Sequence, residues 1–495
     1  MIDIKGALRA LANAFDTYCK ANNTNATLYA VGGFVRNAML HLPLSDIDIC
    51  SSLTPTEIIE FCNKQGYKYV PKGIAFGMVE IHFPYQSSVL FLEHTTFRSD
   101  KYADNGSHRP QSVVFANSLE KDAFRRDFTV NALYENLLTG EIIDPTGGVA
   151  DLKNKLIRAT SKDPSEIMRD DGLRIMRMVR FAAELCFEIE ENTYNAAVQN
   201  VNGLKNISAE RIRDELNKIL LSDIKYPSLV DEWKLQHEKD DSHRLKSHEN
   251  SPVLRSLLTL RDMGVLALIL PELEDCRDYA QKRKYHIYDV LEHLFHVCAE
   301  TPPVLYMRLA GLFHDVGKPI SHKQNKGKNM HGHDAVGAIL AQDALKRLCY
   351  SNEIIQKVVK LISVHMYDIA GTAKDNTLKA RFASWGEPLI LDLIEFRRAD
   401  IRGSGNPSRE VDSAERFCEV YMQMRASGAP FSMSDLAVNG TDILRALRVK
   451  PSAIIGRVKY ELLRHCASNP QDNNYMKLIE LSNEIYKRII KQKDK

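Results

Sequence analysis

The hydropathy pattern changes period part-way along the chain. Between residues 26 and 145, short apolar runs such as SVLFLEHTTF, SVVFA and GEIIDP are spaced as β-strands among short helical stretches. From about residue 165 to the end, apolar positions recur every three or four residues. The pattern predicts an α+β fold, a small mixed-sheet head followed by an elongated all-helical body. MIDIKGALRALANAF, at the start, patterns as an amphipathic helix carrying Asp3 and Lys5 rather than as a signal peptide. KLQHEKDDSHRLKSHENS (234–251) is almost devoid of apolar residues and predicts an exposed loop or insertion. A histidine-rich helical block follows at about 282–403 and a last helical stretch at about 430–490. Apolar runs such as VLALIL (265–270) are too short to span a bilayer, so no membrane partner is expected.

Within the head, VGGFVRNAMLHLPLSDIDI (31–49) predicts four local elements. Leu28–Val31 is a short strand, Gly32-Gly33 a tight turn and Phe34–Leu42 a helix. A second strand follows, in which Asp46 and Asp48 alternate with Ile47 and Ile49 and therefore share one face. Glycines at a strand-to-helix turn let backbone N–H groups approach a phosphate, and Arg36 adds charge there. Two carboxylates on one face suit a two-metal phosphoryl-transfer site, because Mg²⁺ takes oxygen ligands. Glu93, on the strand LFLEHTTF, is a candidate third carboxylate and equally a solvent-facing one. A surface turn with a solvated strand edge fits the same fragment.

Composition narrows these options. The 66 Lys+Arg nearly balance 64 Asp+Glu over 495 residues, which excludes a globally basic nucleic-acid coat and concentrates any polyanion site in a local patch. The nine scattered cysteines contain no C-x-x-C pair, which fits reduced thiols in a cytoplasm. In IMRDDGLRIMRMVRF (167–181), Asp171, Arg174, Arg177 and Arg180 recur every three residues, so helical neighbours lie about 60° apart, while Leu173, Met176 and Val179 form an apolar stripe. This is the pattern of a salt-bridged amphipathic helix. It is equally that of an acceptor and donors presented to the edge of a base, which would select a nucleotide without a template.

Six motifs in order, GGFVR with DID, EHTTFRSDKYADNGSHRPQSVVF, RRDFTVNAL, IDPTGGVADL, DDGLRIMRMVRFAAEL and ISAERIRDEL, cover roughly residues 26–220, and RDMGVLALILPEL extends them. With these the chain resembles the bacterial class II CCA-adding tRNA nucleotidyltransferases, of the superfamily that includes DNA polymerase beta, with an HD domain attached. The resemblance implies a nucleotidyltransferase head (1–160), a base-recognition and tRNA-binding helical domain (161–275), an HD domain (276–425) and a tRNA-binding tail (426–495). The implied activity is template-independent addition of CMP, CMP and AMP from CTP and ATP to the 3′ end of tRNA, in maturation and repair. The resemblance implies that Gly33 and Arg36 hold the triphosphate and that Asp46 and Asp48 bind Mg²⁺. Arg125 and Arg126 would lie near the triphosphate or primer end. Asp171 and Arg174 would pair with the base, supported by Arg177 and Arg180. Asp104 and Arg109 match the mobile loop that the family uses to switch from C to A addition.

Three positions depart from the family pattern: Asn37 stands where Asp is usual, Asp170-Asp171 where Glu-Asp is usual, and Met78 where Thr is usual. In the histidine-rich block, LAGLFHDVGKP (309–319) carries the HD signature. His293, His314, Asp315 and Asp400 form the minimal metal set, with His333 and His365 candidates for a second metal position. Mixed imidazole and carboxylate ligands favour Ni²⁺, Co²⁺ or Mn²⁺ there, and a phosphohydrolase activity. A poly(A)-adding nucleotidyltransferase, an HD phosphohydrolase with an RNA-binding head, and an inactive RNA-binding module are the alternatives.

Overall fold

The computed structural model describes residues 3–44, 46–101, 112–237, 251–281, 286–406 and 412–493. Asp104 and Arg109 lie outside these described residues. The chain divides into two compact units, Met1–Pro271 with Arg347–Cys349 and Glu272–Lys346 with Tyr350–Lys495. Strands gather in the head and helices dominate after it, as the hydropathy pattern predicts. Among the described residues, no helix is long and apolar enough to cross a membrane.

The head is built on β1 (Tyr29–Val31), β2 (Asp48–Ser51), β3 (Lys68–Gly73), β4 (Met78–Tyr85) and β5 (Ser88–Thr96), then a separate hairpin of β6 (Arg98–Lys101) and β7 (Ser112–Phe115), and finally β8 (Tyr134–Asn136) and β9 (Ile142–Ile143). The main sheet has the order β3-β4-β5-β2-β1-β8-β9, antiparallel except where β2 runs parallel to β5. Alternation sends Val79, Ile81 and Phe83 of β4 and Leu90 and Leu92 of β5 into the core. Their cover is α1 (Ile4–Ala21) and α3 (Pro55–Gln65), with α2 (Gly33–Met39) between them in sequence. Phe61 of α3 meets Phe15 and Tyr18 of α1 edge-on, at centroid distances of 5.4 and 5.3 Å. Thr54 and Glu57 form a capping box at the start of α3, and Gly66 ends it in the left-handed region at φ 72.

Past the sheet come α4 (Leu119–Phe124), α5 (Gly148–Lys153), α6 (Pro164–Asp170), α7 (Leu173–Leu185), α8 (Glu191–Gln199) and α9 (Ala209–Leu220). Residues 167–181 are therefore not one helix. Asp171 is extended at φ −144 and ψ 105, and its carboxylate caps α7 by accepting from the N–H of Leu173 at 3.0 Å. Gly172 follows because a Cβ there would lie 2.5 Å from the backbone carbon of Gly203. Nor is α7 a half-exposed amphipathic helix: every residue in it except Arg177 is buried. The apolar-poor segment also begins later than its composition predicts, because Lys234–His237 close the helix Pro227–His237; residues 238–250 lie outside the described residues.

The second unit is helical. Val290–Glu300, Leu305–Phe313, Lys318–Gln324, His333–Arg347, Asn352–Val364 and Glu387–Gly403 carry the histidine-rich block, followed by helices that include Ala453–Ser468 and Tyr475–Lys493. Leu294, Phe295, Leu309, Phe313 and Phe396 are fully buried among them. The buried guanidinium of Arg308 donates to the carbonyls of Cys298 and Ala299, at 2.8 and 2.6 Å, which satisfies the C-terminal end of the helix Val290–Glu300.

Candidate active sites

In the first unit the strand β1 ends in Gly32, at φ 76 and ψ −133, a conformation that favours glycine and turns the chain directly into α2. Arg36, on this short helix, is 4% exposed. Its Nη1 donates to Asn131 Oδ1 at 2.6 Å, and its Nε and Nη2 donate to Asn37 Oδ1 at 3.1 and 2.9 Å. All these partners are neutral. Burial lowers the pKa of the guanidinium, so the site holds a desolvated cation whose hydrogen-bonding partners bring no charge.

The departure at position 37 acquires a physical meaning. The Asn37 amide donates to the carbonyl of Pro43 at 2.9 Å and to the hydroxyl of Tyr226 at 3.0 Å. An ionised carboxylate has no hydrogen to give to Pro43.

Asp48 opens β2, while Asp46 precedes the strand and is exposed. Burial pushes the Asp48 carboxyl up to about 6; Arg126 opposes this, and Glu93 and Asp46 add to it. Glu93 is the register partner of Asp48 across the parallel pair β2·β5. A half-buried carboxylate beside two others favours a cation.

Arginines from three segments complete the site. Arg125 and Arg126 both pair with the fully buried Asp122, at 2.7 and 3.0 Å, and Tyr134 donates to the same carboxylate at 2.7 Å. Burial alone would raise the Asp122 pKa; Arg126 and Arg125 outweigh it and bring the value to about 2. From α7, Arg177 pairs with Asp127 at 2.5 Å, and Arg180 pairs with Glu215 at 2.5 Å and Glu184 at 3.0 Å. Both Nη atoms of Arg174 donate to main-chain carbonyls, of Ile167 and Arg125, each at 3.0 Å.

One cavity of about 550 Å³ collects these groups. Gly33, Arg36, Asp46, Asp48, Arg125, Arg126, Asp171, Arg174, Arg177 and Arg180 all line it, so the residues singled out by sequence for nucleotide and metal binding in the first unit meet in one place, apart from Glu93, which does not line the cavity, and the two outside the described residues. Seven arginines face four aspartates there, which is the local basic patch that the balanced overall charge demands of a polyanion site. Asp127, Asn131, Phe181 and Arg211 line the same cavity and were not among the expected site residues. Asp127 directly follows the paired arginines and Asn131 lies four residues on, a spacing that is a signal in retrospect; Arg211 stands in ISAERIRDEL with no local mark.

In the second unit, His293, His314 and Asp315 place donor atoms within 4.8 Å of one another, and so do Asp315, His333 and His365. Asp315 belongs to both sets. Asp400 Oδ1 lies 3.2 Å from His293 Nε2 and 3.8 Å from His314 Nε2. Each of the four histidines points Nδ1 at a main-chain carbonyl: Gly403, Gly311, Met330 and Ile362, at 3.2, 2.9, 2.9 and 2.6 Å. A carbonyl only accepts, so Nδ1 carries the hydrogen and the neutral ring turns its Nε2 lone pair toward Asp315. The Nε2 atoms of His333 and His365 are buried without a hydrogen-bond partner among the described residues. Inward lone pairs around a shared carboxylate fit divalent cations. Lys318 Nζ sits 2.5 Å from Asp315 Oδ2, and a cavity of about 630 Å³ opens over the cluster.

Known proteins resemble the chain in both of the regions that carry these clusters. Residues 28–158 match the family described as "Poly A polymerase head domain", residues 186–230 that described as "Probable RNA and SrmB- binding site of polymerase A", and residues 283–402 the HD domain. The CCA-adding enzyme of Lactobacillus helveticus is 42% identical over 192 residues, 39% of this chain and 45% of the relative, so the chain spans less than half the length of such relatives. Among solved structures, the Bacillus stearothermophilus CCA-adding enzyme in complex with CTP is similar over the whole of both chains with a TM-score of 0.63 at 20% identity. The Thermotoga maritima CCA-adding enzyme complexed with tRNA is similar over 98% of this chain and 96% of that one, with a TM-score of 0.56 at 20% identity. These two likenesses speak for the fold. The A-adding tRNA nucleotidyltransferase of Deinococcus radiodurans is 31% identical over 364 residues, 70% of this chain and 75% of that protein. By a match of that extent the chain belongs to the tRNA nucleotidyltransferase family.

Proposed function

We propose that the first unit adds CMP, CMP and AMP, without a template, to the 3′ end of tRNA. The observation that carries this reading is the single cavity in which Arg36, hydrogen-bonded only to neutral asparagines, the Asp46–Asp48 pair and the base-facing Asp171 meet. Arg36, with Arg126 and the turn at Gly33, holds the triphosphate, whose charge answers the buried guanidinium. Asp171 accepts from the exocyclic amino group that cytosine and adenine share and that uracil lacks. The primer 3′-hydroxyl attacks the α-phosphorus, the bond to the bridging oxygen breaks, and pyrophosphate leaves. Asp46 and Asp48 would hold Mg²⁺, which supplies Lewis-acid stabilisation of the phosphoryl group in transfer. The domain boundaries expected from the sequence, 1–160, 161–275, 276–425 and 426–495, remain our assignment, supported by the division of the structure near residue 271. The helical parts would bind tRNA by shape and phosphate contact.

The second unit, on this reading, is a phosphohydrolase acting on 2′,3′-cyclic phosphates or related phosphoesters, the ends that block the hydroxyl used by the head. His293, His314, Asp315 and Asp400, with His333 and His365, would hold Ni²⁺, Co²⁺ or Mn²⁺, which supplies hydroxide near neutral pH.

The test offers purified full chain a tRNA lacking its CCA end, together with CTP and ATP. Three added residues and a stop are expected. Extension only of tRNA already ending in CC would favour terminal-A addition, the reading suggested by the Deinococcus relative, and a long A tail would favour poly(A) synthesis. No extension of any of these ends overturns the transferase reading.

A further inference from the structure

The cavity of about 630 Å³ over the histidine cluster is not lined by polar groups alone: Met366, Ile369, Ala370 and Ile401 line it too. Two of these directly follow residues of the metal set, Met366 after His365 and Ile401 after Asp400. Consecutive Cα atoms lie about 3.8 Å apart, so a ligand held at the cluster and reaching a few ångströms beyond it meets this apolar wall. Met366 and Ile369 are 40% and 36% exposed, although the turn that carries them is firmly held. Asp368, in the left-handed region at φ 50, accepts through Oδ1 from the N–H groups of Thr372 and Ala373 at 2.8 and 3.0 Å. Arg397, whose guanidinium lies 4.0 Å from the ring centre of Phe417, donates to the carbonyl of Tyr367. Arg416, from the helix Asp412–Ala426, donates through Nη2 to the carbonyl of Ala373 at 2.7 Å and to Asp375 Oδ1 at 2.8 Å. Adjoining apolar side chains held exposed inside a polar cavity mark a binding surface.

We propose that this wall seats the base of a nucleotide whose phosphate lies at the histidine cluster, so that the second unit acts on free nucleotides or on one unstacked nucleotide at an RNA 3′ end. The inference rests on the phosphohydrolase reading proposed above. In that reaction water adds across one P–O bond of the cyclic phosphate and leaves a phosphomonoester and a free hydroxyl, and the group that projects beyond the ribose is the base. Every base has a flat apolar face that thioether and aliphatic side chains can cover. The wall residues carry no hydrogen-bond donor that would tell one base edge from another, so all four bases are accepted. A sugar phosphate without a base leaves the wall wet. A base inside a duplex must leave its stack to reach the wall, which costs least at a single-stranded end. Arg416, through its bonds to Ala373 and Asp375, is a positioning residue for the turn.

The test uses the full chain, stripped with chelator and reloaded with Mn²⁺, in the parent and in Met366→Ala/Ile369→Ala. Ile369→Ser alone carries it if the double variant does not fold. The substrates are the four nucleoside 2′,3′-cyclic phosphates and glycerol 1,2-cyclic phosphate, which has the same phosphate ring and no base. In the parent, kcat/KM should vary less than about threefold among the nucleotides and exceed that for the glycerol compound about tenfold or more. The variant should raise KM for the nucleotides about tenfold and leave the glycerol compound unaffected. Equilibrium dialysis adds a readout without turnover: the part of adenosine 3′-monophosphate binding that is lost in Asp315→Ala should weaken by the same factor, with metal content unchanged. A cyclic phosphate on a single-stranded RNA overhang should be opened faster than one flush with a duplex closed by G·C. Equal loss on the glycerol compound, loss of metal, unchanged binding, or equal opening of the flush end overturns the inference. If the parent hydrolyses nucleotides and the glycerol compound alike, the wall is no base site while the phosphohydrolase reading stands. If the parent hydrolyses none of them, that reading falls, and the absence of binding that depends on Asp315 would take the inference with it.

Discussion

The side-chain oxygen of Asn37 accepts from two nitrogens of Arg36, Nε at 3.1 Å and Nη2 at 2.9 Å. The residue that usually fills this place in the family would be an anion. With Asp there, Arg36 would gain a directly bonded anion in addition to Glu184, which already acts on it through space. The bond to the Pro43 carbonyl would become a contact between two acceptors, which costs about 1–3 kcal/mol. A charge-assisted pair of similar worth offsets that cost. Asn37→Asp is therefore expected to change stability by no more than about 1 kcal/mol while raising KM for CTP and ATP several-fold, because the triphosphate then competes with an internal anion. Thermal unfolding with steady-state kinetics checks both halves, and an unchanged KM contradicts the role given to Arg36.

Asp48 provides a pH test. Its carboxyl is pushed up to about 6, first by burial and then by Glu93 and Asp46. Because this value lies above the unfolded one of about 3.9, the folded metal-free protein binds the extra proton, and this group's contribution to stability declines as pH rises from about 4 through 6. A cation reverses the trend by requiring the ionised form. The rise in unfolding temperature on adding Mg²⁺ should be small at pH 5, larger at pH 7, and absent at both in Asp48→Asn. Asp46→Ala should abolish nucleotide addition and leave tRNA binding largely intact, as measured by filter binding.

The buried Asp122 makes the opposite prediction. Its pKa of about 2 lies below the unfolded value, so its contribution, about 2–3 kcal/mol, is complete above pH about 4 and is lost as pH falls toward 2. Asp122→Asn keeps the shape but leaves Arg125 and Arg126 without their shared anion, and should cost about 3 kcal/mol or more. Denaturant unfolding followed at pH 7 and pH 3 should show a smaller difference between variant and parent at the lower pH. An equal difference would mean that Asp122 acts through packing.

How far the site was legible in the sequence follows from how local each signal is. Gly32, Arg36 and Asp48 lie within seventeen residues, and a turn, a short helix and a strand suffice to bring them together. The break at Asp171 was not legible, because the apolar period runs on through Gly172 and it is the backbone of Gly203 and Leu204, more than thirty residues away, that forbids a side chain there. Arg211 was missed for a related reason: its ion-pair partner, Asp171, lies forty residues upstream, and an arginine in ISAERIRDEL looks like any solvated helix residue. The near-complete burial of α7 likewise depends on packing that periodicity cannot report. In the histidine-rich block the HD signature singled out histidines and aspartates that the structure gathers, but the sharing of Asp315 by two triads is a tertiary fact.

That sharing yields the last prediction. His293 and His314 with Asp400 address one side of Asp315, and His333 and His365 the other, with contacts of 3.5 and 3.3 Å to Oδ2 and of 3.1 and 3.7 Å to Oδ1. A carboxylate offering one oxygen to each set would bridge two cations. Removing it should therefore empty both positions, whereas removing ligands of one set should empty one. Protein stripped with chelator, reloaded with Mn²⁺, Co²⁺ or Ni²⁺ and desalted should retain about two ions per chain in the parent, about one in His333→Ala/His365→Ala and almost none in Asp315→Ala, as measured by elemental analysis. Hydrolysis of a 2′,3′-cyclic nucleotide should disappear in Asp315→Ala while nucleotide addition by the head continues. Equal metal content in the parent and Asp315→Ala would sink the bridging role, and loss of both activities together would place Asp315 in the support of the fold.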